Sequence, residues 1–103
     1  MKLINVTNSH SRLVMQQLEN TDAEMVKVYT AGDITVVYTV APTHYEILLI
    51  NKKRAIKPTE VEDIRAYFLK KIPSENYNIS EISMIQTPGL VEISIPRTNT
   101  VNR

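Results

Sequence analysis

Met25-Val26-Lys27-Val28-Tyr29 and Ile34-Thr35-Val36-Val37-Tyr38-Thr39-Val40, joined by Thr30-Ala31-Gly32-Asp33, decide the fold. Both arms are rich in β-branched and aromatic residues, which suit a pleated, half-buried surface, and Gly32 supplies the positive φ that a tight reversal needs. The stretch therefore reads as a β-hairpin. In the second arm Ile34, Val36, Tyr38 and Val40 share one face and Thr35, Val37 and Thr39 the other, which points the even positions at the core.

Working outward, Pro42 cannot donate a ladder hydrogen bond, so Ala41-Pro42-Thr43-His44 is expected to turn and Tyr45 to Ile50 to form a third strand. Its apolar residues Tyr45, Ile47, Leu48, Leu49 and Ile50 cannot share one face. That strand is either central and covered on both sides, or one of its faces meets a partner. Upstream, Lys2 to Val6 reads as a strand, and the short polar residues Thr7 to Ser11 as the start of a helix over Ser9 to Asn20, with Leu13, Val14 and Leu18 on its apolar stripe.

Downstream, Pro58 holds Lys57 out of helical geometry, and Thr59-Glu60-Val61-Glu62 matches a capping box that opens a second helix. Val61, Ile64, Phe68 and Ile72 recur at three and four residues and give it a core stripe, while Pro73 stops it. Ile79 to Gln86 and Leu90 to Ile95 read as the last two strands, with Pro88-Gly89 suited to a type II turn. The order β-α-β-β-β-α-β-β predicts an α+β two-layer sandwich: a mostly antiparallel sheet with both helices on one face and the other face left open. One domain is expected over residues 1–97, with 98–103 a flexible tail.

The chain has 103 residues, 43% of them hydrophobic and 22% charged, and no cysteine. This composition is that of an ordinary globular domain and excludes disulfides, thiolate chemistry and cysteine-held metals. No apolar run is long enough for a membrane span, and the start lacks the features of a secretory signal, so a cytoplasmic location without membrane association is expected. With 12 basic and 11 acidic side chains the formal charge is +1, too balanced to recruit nucleic acid without a local patch.

Met1-Lys2-Leu3-Ile4-Asn5-Val6-Thr7-Asn8-Ser9, Lys27-Val28-Tyr29-Thr30-Ala31-Gly32 and Asn51-Lys52-Lys53-Arg54-Ala55-Ile56-Lys57 together resemble a family of short uncharacterised proteins from Gram-positive bacteria of the lactic-acid group. The resemblance spans nearly the whole chain. It implies a bacterial cytoplasmic protein and brings no activity or site residues with it.

Two segments are candidate sites. Ser9, His10, Ser11 and Arg12, at a helix start, are a candidate anion-binding set, although capping of the helix accounts for most of them. Lys52, Lys53, Arg54 and Lys57 are a candidate nucleic-acid-binding set, with Tyr38 or Tyr45 as stacking partners, against the plainer reading of a solvated loop. His10 and His44 are too few to found a metal site, and no catalytic residue, cofactor motif or glycine-rich phosphate loop is present. The functional expectation is a noncatalytic interaction or regulatory module that forms a homo-oligomer or binds a protein partner through a sheet face or edge. Nucleic-acid binding through 52–57, and a small anionic ligand binder or unrecognised enzyme, are the alternatives.

Overall fold

The computed structural model describes residues 2–98. Six strands, β1 (Ile4–Asn5), β2 (Met25–Ala31), β3 (Ile34–Val40), β4 (His44–Ile50), β5 (Ser83–Thr87) and β6 (Leu90–Pro96), form one open sheet in the order β1-β2-β3-β4-β6-β5. Every pairing is antiparallel. The helices are α1 (Ser11–Thr21) and α2 (Pro58–Leu69). The α+β class, the antiparallel sheet and the order of elements are those expected from the sequence.

The hairpin closes where its glycine requires. Ala31 pairs with Ile34, and Gly32 takes φ 62° between them. β4 is indeed central, flanked by β3 and β6. Gly89, by contrast, has no positive φ, so the Pro88-Gly89 turn is not type II. Close approach selects glycine there: a Cβ on Gly89 would sit 2.6 Å from the backbone oxygen of Asn51.

One face of the sheet carries the main core. Tyr29, Ile34, Val36, Tyr38, Tyr45, Ile47, Leu49, Val91, Ile93 and Ile95 pack there against Val61, Ile64 and Phe68 of α2. Phe68 is the anchor, its ring 4.7 Å from Tyr38 in a stacked arrangement and 5.3 Å and 5.0 Å from Tyr29 and Tyr67 edge-on.

The expectation that both helices share this face is corrected. Val26, Val28, Val37 and Thr39 point the other way, lie outside the main core, and are nonetheless buried. Helix α1 packs on β2, and its half-buried stripe Leu13, Val14, Gln17 and Leu18 is what covers them. Val37 lies opposite Val28 and Leu48 in the register, so the face read from alternation as polar has an apolar centre that needs a helix. α1 covers only the β2–β3 half. It reaches β4 at Glu46 through Gln17, and beyond that position this face carries no helix among the described residues.

Boundaries moved for local reasons. α2 starts at Pro58, whose fixed φ suits a first helical position, with Lys57 extended at φ −77°, ψ 146° as its cap. The Glu60 carboxylate, not that of Glu62, reaches back to accept from the Lys57 N–H at 2.9 Å. β1 is shorter than Lys2 to Val6, and Ile79–Glu81 forms a 3-10 turn before β5. Of the expected C-terminal tail, Thr98 donates its N–H to the Asn76 carbonyl at 2.7 Å, and 99–103 lie outside the described residues.

Candidate functional site

The basic segment 51–57 follows β4 and is organised around Asn51 and Arg54. Asn51 Oδ1 accepts from the backbone N–H groups of Lys53 and Arg54, at 2.9 and 3.3 Å, which turns the chain sharply. Arg54 then spends its whole guanidinium on the protein. Nε and Nη2 donate to the two oxygens of Asp33 at 3.0 and 2.7 Å, Nη1 and Nη2 to the two oxygens of Glu60 at 2.9 and 2.8 Å, and Nη1 to the Ala55 carbonyl at 3.0 Å. All five donors of the side chain are thereby satisfied. The guanidinium holds the carboxyl groups of Asp33 and Glu60 below the ordinary carboxylate range.

This arrangement removes Arg54 from the candidate nucleic-acid set. Lys52, Lys53 and Lys57 remain exposed. Tyr38 and Tyr45 cannot join them as stacking platforms, because both rings are buried on the α2 face, and burial pushes the Tyr38 hydroxyl up to about 12. Lys52 and Lys53 do line an open depression of about 390 Å³ with Thr30, Gly32, Asp33 and Thr35. Asn51 lines it as well, and its buried Nδ2 has no hydrogen-bond partner.

The candidate anion set is also placed differently from expectation. Thr7–Ser9 form a 3-10 turn, and His10 is the cap residue of α1, with no side-chain hydrogen bond to the helix start. Its Nδ1 lies 3.1 Å from the Val6 carbonyl, so that nitrogen carries the proton and the ring is directed at the backbone. Ser9, Ser11 and Arg12 are exposed around it. The capping role expected of the serines is not what the geometry shows.

A second depression of about 480 Å³, lined by Ser74, Glu75, Tyr77, Asn78, Ile79 and Thr98, contains neither histidine, and neither does the first. Among the described residues no cluster of three histidine, aspartate or glutamate side chains could hold a metal ion.

Sequence reasoning missed a carboxyl pair. Glu46 on β4 and Glu92 on β6 come together on the sheet face that carries α1. Burial, reinforced by Glu92, pushes the Glu46 carboxyl up to about 7, while Gln17 on α1 acts in the opposite direction. The buried Thr39 hydroxyl, opposite Glu46 in the register, has no hydrogen-bond partner. Alternation within each strand puts both glutamates away from the main core, but only the β4–β6 pairing makes them neighbours.

The same face has an apolar margin. Leu48 and Ile50 are half-buried, and beyond them Leu90 and Ile85 are 44% and 68% exposed. Ile50 pairs with Leu90, and Glu92 sits between Leu48 and Ile85, so Leu48, Ile50 and Leu90 adjoin and Ile85 meets them diagonally, at Leu90.

An open antiparallel sheet with two helices defines a small α+β protein. Residues 1–96 match the family model described as Domain of unknown function (DUF1827), and the chain belongs to that family. It is similar to a solved crystal structure of a conserved protein of unknown function from Streptococcus thermophilus LMG 18311. The two share 49% sequence identity and a TM-score of 0.90, over 95% of this chain and 98% of that one. No curated protein matches the chain.

Proposed function

We propose that this chain is a noncatalytic protein-interaction module of the bacterial cytoplasm. Its contact surface is the part of the sheet that α1 leaves open, over β4, β6 and β5. The observation that carries the reading is the exposure of Ile85 and Leu90 beside Leu48 and Ile50, a band of aliphatic side chains with no helix over it. The spent guanidinium of Arg54 and the buried tyrosines weigh against a nucleic-acid role, and the depressions without histidine weigh against an enzyme. The absence of cysteine and the streptococcal relative support the cytoplasmic, bacterial setting.

A photocrosslinking residue placed at Ile85 or Leu90 in growing cells tests the reading, with the same residue at exposed Glu62 on α2 as the control. Adducts of defined mass from the two sheet positions and none from Glu62 are expected. No adduct at the sheet positions, or equal adducts at all three, would remove it.

A further inference from the structure

We infer that a second copy of the same chain is the partner, joined edge to edge through β5 at the rim of this face, where Ile85 lies; this rests on the interaction reading above and specifies it. The two edges of the sheet are finished differently. On the β1 side the edge strand is two residues long, and past it Thr7 closes the exposed backbone of β2. The Val28 N–H donates to Thr7 Oγ1 at 3.0 Å, and the Val28 carbonyl accepts from the Val6 N–H at 2.8 Å. The β5 edge has none of this. All five residues of Ser83-Met84-Ile85-Gln86-Thr87 are exposed, none is charged or proline, and the register with β6 runs without a bulge. Sheets ordinarily protect an open edge with charge, proline, a bulge or a cover.

The hydrogen-bond pattern fixes which groups face outward. Arg97 donates to the Thr43 carbonyl and Asn51 to the Gly89 carbonyl, so odd-numbered β6 residues turn their backbone groups to β4 and even-numbered ones to β5. Their partners Ser83, Ile85 and Thr87 then bond inward, which leaves the N–H and C=O of Met84 and Gln86 directed away from the sheet. Among the described residues, these four groups have no partner.

The strand is complementary to itself. Paired antiparallel about Ile85, Met84 of one copy lies opposite Gln86 of the other, and the four outward groups of each strand meet as four backbone hydrogen bonds. Ile85 then faces Ile85 at a non-hydrogen-bonded position, where Cα atoms approach to about 4.5 Å and side chains pack closest. Ser83 faces Thr87, a hydroxyl pair favoured across strands. No charge opposes a like charge, since Glu81 falls opposite Gly89. A five-residue seam is small beside a standard interface of about 1,600 Å², so the dimer belongs to the weak, reversible class.

Sedimentation equilibrium over a dilution series reaching about 1 mM tests this, in the range of weak association. The wild type is expected to dimerise, and Met84→Pro and Gln86→Pro each to weaken the dimer at least tenfold, because each removes an outward N–H that takes no part in pairing with β6. Ile85→Lys, which keeps the whole backbone, is expected to do the same and carries the test should a proline variant misfold. The amides of Met84 and Gln86 should gain hydrogen-exchange protection as concentration rises. A wild type monomeric throughout, or a dimer indifferent to Ile85→Lys, overturns the inference. A monomer that still gives Ile85 adducts with a different protein in cells overturns only the second copy, whereas a monomer without adducts removes the broader reading too.

Discussion

Arg54 and Glu60 meet through two parallel hydrogen bonds, Nη1 to Oε1 at 2.9 Å and Nη2 to Oε2 at 2.8 Å, while the other edge of the same guanidinium grips Asp33. The β2–β3 turn is thus tied by one side chain to the 51–57 connection and the start of α2 that follows it. Arg54→Met should lower the melting temperature at neutral pH by a few degrees, and Arg54→Lys should rescue little of it, because an ammonium cannot make the paired contacts. Both carboxyl groups are held below their ordinary range, so the clamp stabilises the protein above that range and its contribution fades as pH falls through the folded-state values. Thermal melts of wild type and Arg54→Met should therefore converge in acid.

Glu46 has the opposite sign. Its carboxyl is raised to about 7, so the folded protein binds a proton that the unfolded chain has already released. Stability from this source is complete below the ordinary glutamate range and is lost as pH rises toward 7. Glu46→Gln should leave stability unchanged near pH 4 and raise it at pH 8 by about 1 kcal/mol, the full linkage value being discounted because the group is half exposed. Urea titrations at the two pH values check this, and equal effects at both would contradict it.

Phe68 fills the space among Tyr29, Tyr38 and Tyr67. Phe68→Ala should cost about 3–5 kcal/mol in chemical denaturation, the range for emptying a buried aromatic site.

Gly89 passes 2.6 Å from the Asn51 oxygen when given a Cβ, and the obstacle is backbone that cannot swing aside. Gly89→Ala should destabilise by about 1–3 kcal/mol, as overpacking does. Gly32 differs, since nothing lies within 4 Å of its Cβ position, and Gly32→Ala should suffer only from its φ of 62°.

Asp22 ends α1 in the left-handed region, at φ 55° and ψ 36°, where a side chain is disfavoured. Asp22→Gly should raise the melting temperature, because glycine carries no Cβ penalty in that region.

What the sequence disclosed follows from how local each signal is. Gly32 with two β-branched arms, Pro42 before Tyr45, and the Val61, Ile64, Phe68 spacing each act within a few residues, and each yielded its element. Alternation within β3 alone marks Val37 as lying on the more exposed side, whereas Val28 opposite it on β2, with Val26, makes a second apolar centre beneath α1. The fate of Arg54 was hidden for the same reason. Its partners lie 21 residues before it and six after it, and a run of basic residues looks alike whether solvated or locked. The Glu46–Glu92 encounter required knowing that β6, not β5, sits beside β4.

β1 to β4 follow one another across the sheet in chain order, but β6 takes its place against β4 only after α2 and β5 have been made, a closure over a long intervening loop of chain. β5 hangs on β6 alone. The outermost ribbon therefore depends on that long-range pairing, and it departs if the carboxy-terminal hairpin peels away. Any recognition that uses it reads whether the polypeptide has been synthesised through residue 96 and correctly closed, so that truncated or half-made molecules are silent.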